Sequence, residues 1–285
     1  MRAQLPPPAP CPVTGMGSLR PPSTMPHPVA RVAGPSAGRA TIACCRGLSH
    51  WYDASLRGVH WSNQVLPTVS LMLGAASFEA VIGEGAGPVT LLHCIAGLVV
   101  PREGRIEWRD SAGRCAARPR IAFIPANWRP YRCLTVRDVL EQAVPPGTDQ
   151  GAADSMVSGA LERCELSDHA WHRARGLTRP LRPILATAAA VVSGAEWVLL
   201  EMGGGRGSVQ APDDIAAYRK GASAIRRLAR AGVVVLVAGP PGCYAPWVPR
   251  RVHPLPPGGL RERVEVAPPA RVAEGSPVAT VSAPT

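Results

Sequence analysis

Lysine is almost missing from this 285-residue chain: of its 31 basic residues, 30 are arginine and one, Lys220, is lysine. Any chemistry that needs an ammonium group has a single residue to draw on. Long apolar runs are missing too. The longest unbroken one, Val233 to Ala238, falls far short of the roughly 20 residues that span a bilayer, so the chain is not expected to cross a membrane itself. The eight cysteines form no C-x-x-C pair and follow no secreted-domain spacing, which reads as reduced thiols in a cytosolic setting. Met1 to Ala40 has ten prolines and four arginines but no apolar segment of signal-peptide type, so export by that route is not expected.

The net charge is +11. Met1 to Ala40 contributes +4 with no acid, Arg250 to Thr285 contributes +2, and the body between them +5. More than half of the excess therefore sits in the ends. No dense basic run with interleaved aromatics appears, and no zinc-finger, RNA-recognition or basic-zipper pattern, which argues against a nucleic-acid partner.

Residues 1–40 and 267–285 are rich in Pro, Gly, Ser and Ala with few large apolar side chains, the composition of tails that cannot offset the entropy of ordering. Pro246 to Gly259 is crowded with prolines that resist regular structure. The folded body is expected over about 41–245, with a final strand at Leu260 to Val266. Within it, Phe78-Glu-Ala-Val-Ile82, Gly83 to Gly87 and the apolar stretch Thr90 to Leu98 imply strand, glycine turn and helix. Arg105 to Trp108 and Ile121 to Ile124 read as strands. Between Val136 and Leu185 the pattern turns helical. Trp197 to Leu200 and Val233 to Val237 are continuous apolar strands of the kind buried on both faces of a parallel sheet, with a helix at Ala216 to Ala231 between them. The alternation predicts an α/β fold with a helical insertion.

The order of these phrases resembles the ATP-binding subunit, or nucleotide-binding domain, of an ABC transporter across nearly all of 41–260. Val65-Leu-x-x-Val-Ser-Leu-x-Leu73 is similar to the strand before the family's phosphate loop. Leu91-Leu-x-x-Ile-Ala-Gly-Leu98, with Pro101-x-x-Gly104, is similar to the helix and hairpin after it. Leu134-Thr-Val136 resembles the opening of the helical subdomain, placed at about 137–185, and Val198-Leu-Leu200 the strand before the catalytic carboxylates. The resemblance implies a P-loop NTPase-like ABC ATPase fold: a mainly parallel sheet with a helical subdomain, flanked by a 1–40 tail and a mostly unstructured 261–285 tail.

Against that family's G-x-x-G-x-G-K-[ST] loop, whose backbone N–H groups cradle phosphate while lysine and hydroxyl serve charge and Mg²⁺, the segment Gly83-Glu-Gly-Ala-Gly-Pro-Val-Thr90 is one residue short. The vestigial nucleotide positions are Gly83, Gly85, Gly87, Pro88, Val89 and Thr90. Pro88 takes the lysine place and Val89 the metal-hydroxyl place, while Glu84 adds negative charge. The family's metal-linked glutamine falls at Ala126, its Asp-Glu pair at Glu201-Met202, its switch histidine at Gly239 or Pro240, and its D-loop aspartate at Ser208. Its signature corresponds to Leu177-Thr178-Arg179-Pro180-Leu181, keeping only the hydroxyl. Trp51 or Tyr52 stands where the family stacks adenine. Glycine, proline and alanine supply no ammonium, base or metal ligand, so no catalytic residue is assigned. His93 reads as a packed or surface histidine. Cys164, His169 and His172 lack a fourth ligand and zinc-like pairing, so no metal site is assigned either.

The resemblance thus implies a non-hydrolysing partner or regulatory subunit. It would sit in the cytoplasm at the inner face of the cell membrane, beside a membrane permease subunit and a second ATP-binding subunit, with at most weak ATP and Mg²⁺ binding. Two alternatives stand beside it. One is a weakly active transporter ATPase with Glu201 holding metal; the other is a soluble interaction or regulatory protein without a transporter.

Overall fold

The computed structural model describes residues 41–56, 59–74, 78–202, 212–241 and 249–261. The expected tails at 1–40 and 267–285, and the glycine-rich stretch Gly203 to Ser208, lie outside them. Element order is β1 (Thr41–Leu56), β2 (Val59–Leu73), β3 (Phe78–Ile82), α1 (Gly87–Ala96), β4 (Glu103–Asp110), β5 (Ile121–Ile124), α2 (Val136–Glu141), α3 (Gln150–Arg163), α4 (Leu181–Val192), β6 (Trp197–Glu201), α5 (Pro212–Arg230), β7 (Val234–Gly239), β8 (Arg251–Pro254) and β9 (Gly259–Arg261).

Two sheets form. One is parallel, in the order β5-β6-β7-β3-β8. The other is antiparallel, in the order β4-β1-β2-β9. The parallel sheet is buried on both faces, which is why its strands read as unbroken apolar runs. Along β6, Val198 and Leu200 face a core shared with α2, α3, α4 and α5, while Trp197 and Leu199 face a second core shared with α1, β1 and β2. The alternation of a strand divides one run between two cores.

Helix α2 begins with a reciprocal cap. The Thr135 hydroxyl accepts from the Asp138 N–H at 3.1 Å, and the Asp138 carboxylate accepts from the Thr135 N–H at 2.7 Å. These bonds satisfy two donors that would otherwise be orphaned at the chain's entry to the helix. They also hold the Asp138 carboxyl below the usual carboxylate range. Val139, Ala160, Leu161 and Leu166 are buried as the helical pattern predicts, and Ala143 and Met156 are partly buried against the same core. The last helix of this layer, α4, continues past Leu185 to Val192.

Three expectations need correction. Pro246 to Gly259 is not free of regular structure, since Arg251–Pro254 is a strand. It pairs with β3 on one side only, at the sheet edge, and Pro254, its final residue, has no N–H for the ladder to miss. The closing strand begins at Gly259 rather than Leu260, and residues 262–266 lie outside the described set. The helix after the glycine turn begins at Gly87, three residues before the apolar stretch, with Pro88 in its first turn, where a missing N–H costs no helical bond.

Candidate nucleotide site at the carboxyl edge of the parallel sheet

In an open α/β sheet, loops leaving the carboxyl ends of adjacent parallel strands gather in one place. Here register brings the ends of β3, β7, β6 and β5 into a row, with Ile82 beside Gly239, Ala238 beside Glu201 and Leu200 beside Ile124. The strand-to-helix turn Gly83 to Ala86 leaves this edge. The Gly83 N–H donates to the Gly239 carbonyl at 3.3 Å, the Met202 N–H to the Ala238 carbonyl at 2.7 Å, and the Ala126 N–H to Glu201 Oε2 at 3.3 Å. Gly83, Ala126, Glu201, Met202 and Gly239, scattered over more than 150 positions, are thus joined by strand register and direct hydrogen bonds. No local sequence signal foretold the Ala126–Glu201 bond.

The turn passes from one backbone handedness to the other. Gly85 is left-handed at φ 69° and Ala86 right-handed at φ −90°, ψ −5°, a succession that turns neighbouring N–H groups toward one concavity at the mouth of a helix. Gly87 is required by close approach, because a Cβ there would stand 2.7 Å from the Val65 carbonyl oxygen. The side chains offer a phosphate little. Pro88 is buried, and its Cγ lies 3.2 Å from where a Cβ on Gly83 would be, so the ring packs back toward the start of the turn. Val89 is half-buried, the Thr90 hydroxyl is on a buried residue, and Glu84 is exposed. Lys220 is exposed on α5, whose apolar residues pack on the opposite face of the parallel sheet from α1.

Trp51 and Tyr52 lie two-thirds of the way along β1. Trp51 is opposite Gln64, one residue from the Val65 carbonyl that meets Gly87, so the register carries the aromatic pair toward the turn. Successive strand residues face opposite ways, so only one ring can face it. The Arg102 guanidinium sits 5.8 Å from the Trp51 ring centroid and pairs with Asp53 at 2.9 Å. Tyr52 is 44% exposed and meets His50 edge-on.

His50 is buried, and its Nδ1 has no hydrogen-bond partner among the described residues. Burial first, and the Arg102 charge second, hold its pKa below the ordinary 6.5. The unfolded chain therefore binds this proton more readily than the folded one. The stability His50 contributes is full above about pH 6.5 and is lost as pH falls from there through the folded-state pKa. Melting temperature is expected to fall between about pH 7 and pH 5, with a shallower slope in His50→Phe; identical slopes would refute this.

The signature-like segment is not brought to the turn. Leu177 and Leu181 are buried in the helical layer, on the face of the parallel sheet away from α1. Pro180 is the N-cap of α4, and Thr178 and Arg179 are exposed. His93 packs edge-on against Phe123 at 4.9 Å. Cys164 is buried in the helical-layer core, its thiol pushed up to about 12 by burial, while His169 and His172 meet at 3.3 Å. Among the described residues no cluster of three or more His, Cys, Asp or Glu is placed to hold a metal ion. None of the described helices is long and apolar enough to cross a membrane.

No protein-family model matches the chain. Among curated proteins it is similar to the phosphonates import ATP-binding protein PhnC of Pseudomonas putida, 30% identical over 162 residues, covering 54% of this chain and 49% of that protein. It is also similar to the nickel import ATP-binding protein NikE of Escherichia coli, 38% identical over 71 residues (24% of this chain, 26% of that protein). A third relative is the thiamine import ATP-binding protein ThiQ of Cereibacter sphaeroides, 35% identical over 92 residues (31% and 40%). The chain spans about half the length of the first of these relatives and less of the others. Among solved structures, a dimeric bacterial ABC transporter cassette, MJ0796, matches with a TM-score of 0.55 at 17% identity, covering 75% of this chain and 94% of that one. An ATP-binding cassette in its ADP conformation, MJ1267, matches with a TM-score of 0.53 at 17% identity (79% and 92%). The structural likeness shows the fold of an ATP-binding cassette, and the sequence similarity, over part of the chain, is to ATP-binding proteins of importers.

Proposed function

We propose that this chain is a non-hydrolysing ATP-binding-subunit homologue that serves as a partner or regulatory subunit of a membrane transporter, at the cytoplasmic face of the membrane. Its partners would be a permease subunit and a second ATP-binding subunit, with helical-layer residues about 137–176 as the docking surface. The observation that carries this reading is the chemistry at the carboxyl edge of the parallel sheet. The turn runs from left-handed Gly85 to right-handed Ala86 at the mouth of a helix, yet Pro88 packs back toward Gly83, and Val89 on the helix and Ala126, Met202 and Gly239 along the sheet edge bring no ammonium, metal hydroxyl, amide, base or imidazole. Phosphoryl transfer is catalysed almost wholly by such positioned charges. These residues do not fit catalysis on Mg²⁺-ATP, and no hydrolytic step is assigned to them.

The purified chain is expected to show no Mg²⁺-dependent ATPase activity above background. Turnover that disappears in Glu201→Gln would overturn this reading. The runner-up, a weak ATPase, rests on the Glu201 carboxylate held by the Ala126 N–H and on the Gly85–Ala86 turn, which leave room for weak ATP binding. Co-purification of the full chain from native membranes tests the partner half of the proposal, and recovery without any membrane subunit would favour a soluble regulator.

A further inference from the structure

Seven arginines elsewhere in the described fold form ion pairs: Arg46, Arg105 and Arg109 meet Glu107, Arg102 meets Asp53, Arg114 meets Asp110, Arg137 meets Glu141 and Asp154, and Arg227 meets Glu165. One arginine-rich region forms none among the described residues. Segments 126–134 and 173–182 together carry six arginines and no acid. They are far apart in sequence but bound side by side. The Val136 N–H donates to the His172 carbonyl at 3.0 Å, the Ala174 N–H to the Leu134 carbonyl at 2.9 Å, and Arg173 Nη1 to the Cys133 carbonyl. Arg182 is folded inward, its Nε donating to the Leu177 carbonyl at 3.0 Å. Burial first, and the Arg129 charge second, hold the Arg182 guanidinium below its ordinary pKa.

Arg129, Arg132, Arg175 and Arg179 are exposed and have no ion-pair partner among the described residues. Asp138, whose carboxyl feels the Arg173 charge, is committed to the Thr135 cap. We infer that the surface formed where segments 126–134 and 173–182 meet docks an acidic polypeptide segment, whose Asp and Glu carboxylates pair with these four guanidinium groups. A guanidinium without an ion-pair partner offers an incoming carboxylate two-pronged hydrogen bonds from its planar fork, and four on adjoining segments offer several such contacts at once. Their like charge rules out a second copy meeting this surface face to face.

A nucleic acid would need stacking platforms as well as charge. Of the nearby aromatics, Trp128 packs into the helical-layer core, while Tyr131, 52% exposed, and Trp171, 75% exposed with the Arg137 guanidinium 5.6 Å from its ring, are at the surface. Two rings are few for a stacking track and thin as a membrane anchor. The inference goes beyond the transporter reading, because the acidic segment could belong to a membrane subunit or to a soluble protein.

The test compares the full chain with the R129Q/R132Q/R175Q/R179Q variant, both retaining every other basic residue, after circular dichroism shows equal folding. The probes are fluorescein-labelled poly-L-glutamate, an oligo-dT of matched charge, and phosphatidylcholine vesicles containing phosphatidylglycerol. Poly-L-glutamate is expected to bind the natural chain in a salt-sensitive way and the variant roughly tenfold more weakly or less. If the variant fails to fold, R175Q/R179Q alone is expected to give a smaller loss of the same sign. Equal binding by both chains would overturn the inference, because the charge would then lie elsewhere. So would variant-sensitive binding of oligo-dT or vesicles without binding of poly-L-glutamate.

Discussion

Glu79→Ala is expected to lower folding stability by about 3–5 kcal/mol, read as a fall in the urea midpoint. Glu79 is fully buried on β3 in the middle of the fold, a position no carboxylate occupies unless it is matched. One oxygen accepts the Gly74 N–H at 3.1 Å, and the other lies 2.8 Å from Nε2 of His253 on β8. Removing the carboxylate strands a buried N–H and an imidazole together, and loosens the edge strand that His253 carries. Glu79→Gln keeps an acceptor for Gly74 and is expected to lose less, about 1–3 kcal/mol. Alanine and glutamine variants of equal stability would show that the carboxylate does not bind these partners.

Trp197→Ala is expected to cost about 3–5 kcal/mol, measured the same way. The indole is wholly buried between the two sheets. Its Nε1 donates to the Thr41 hydroxyl at 2.9 Å, and its ring meets Trp108 edge-on at 5.1 Å. Gly74 has no side chain because the indole fills its space, a Cβ there falling 2.4 Å from the ring. The gap left by truncation is walled by rigid strands on both sides, so collapse is limited. Trp108→Ala is expected to cost less, since that ring is only partly buried. A loss below about 1 kcal/mol for Trp197→Ala would mean the two sheets repack freely.

The strands of the parallel sheet were legible because burial on both faces writes itself as an unbroken apolar run: Phe78–Ile82 and Ile121–Ile124 are read at their observed bounds, and β6 and β7 within a residue or two. Strand β1 was not legible. Register shifts between Cys45 and Trp51, with left-handed Gly47 among them, break the alternation that marks a half-buried strand. Strand β8 hid among prolines. The glycine turn could be found from local order, but what gathers around it could not, because Ala126, Glu201 and Gly239 are joined by strand register rather than by spacing. The α2 cap was written plainly as Thr135-x-x-Asp138 and passes for a resemblance phrase unless the side chains are asked where their bonds go. Glu79 and His253, 174 positions apart, carry no mark of their pairing in the sequence.

The segment from Arg251 to Arg261 supplies an edge strand to each sheet, β8 beside β3 and β9 beside β2. On the ribosome this sets a timetable. The β1–β2 hairpin can close from neighbouring residues as soon as it emerges, but the free side of β2 waits through nearly 200 further residues before Leu260 arrives opposite Asn63. During that interval β2 offers unpaired N–H and C=O groups to any strand nearby. Loop closure over such a span is slow compared with hairpin formation. Synthesis of this protein therefore includes a long period in which its earliest sheet is formed but unguarded, until the late segment pairs with Ser62 to Gln64 of β2 and with the edge of β3 together.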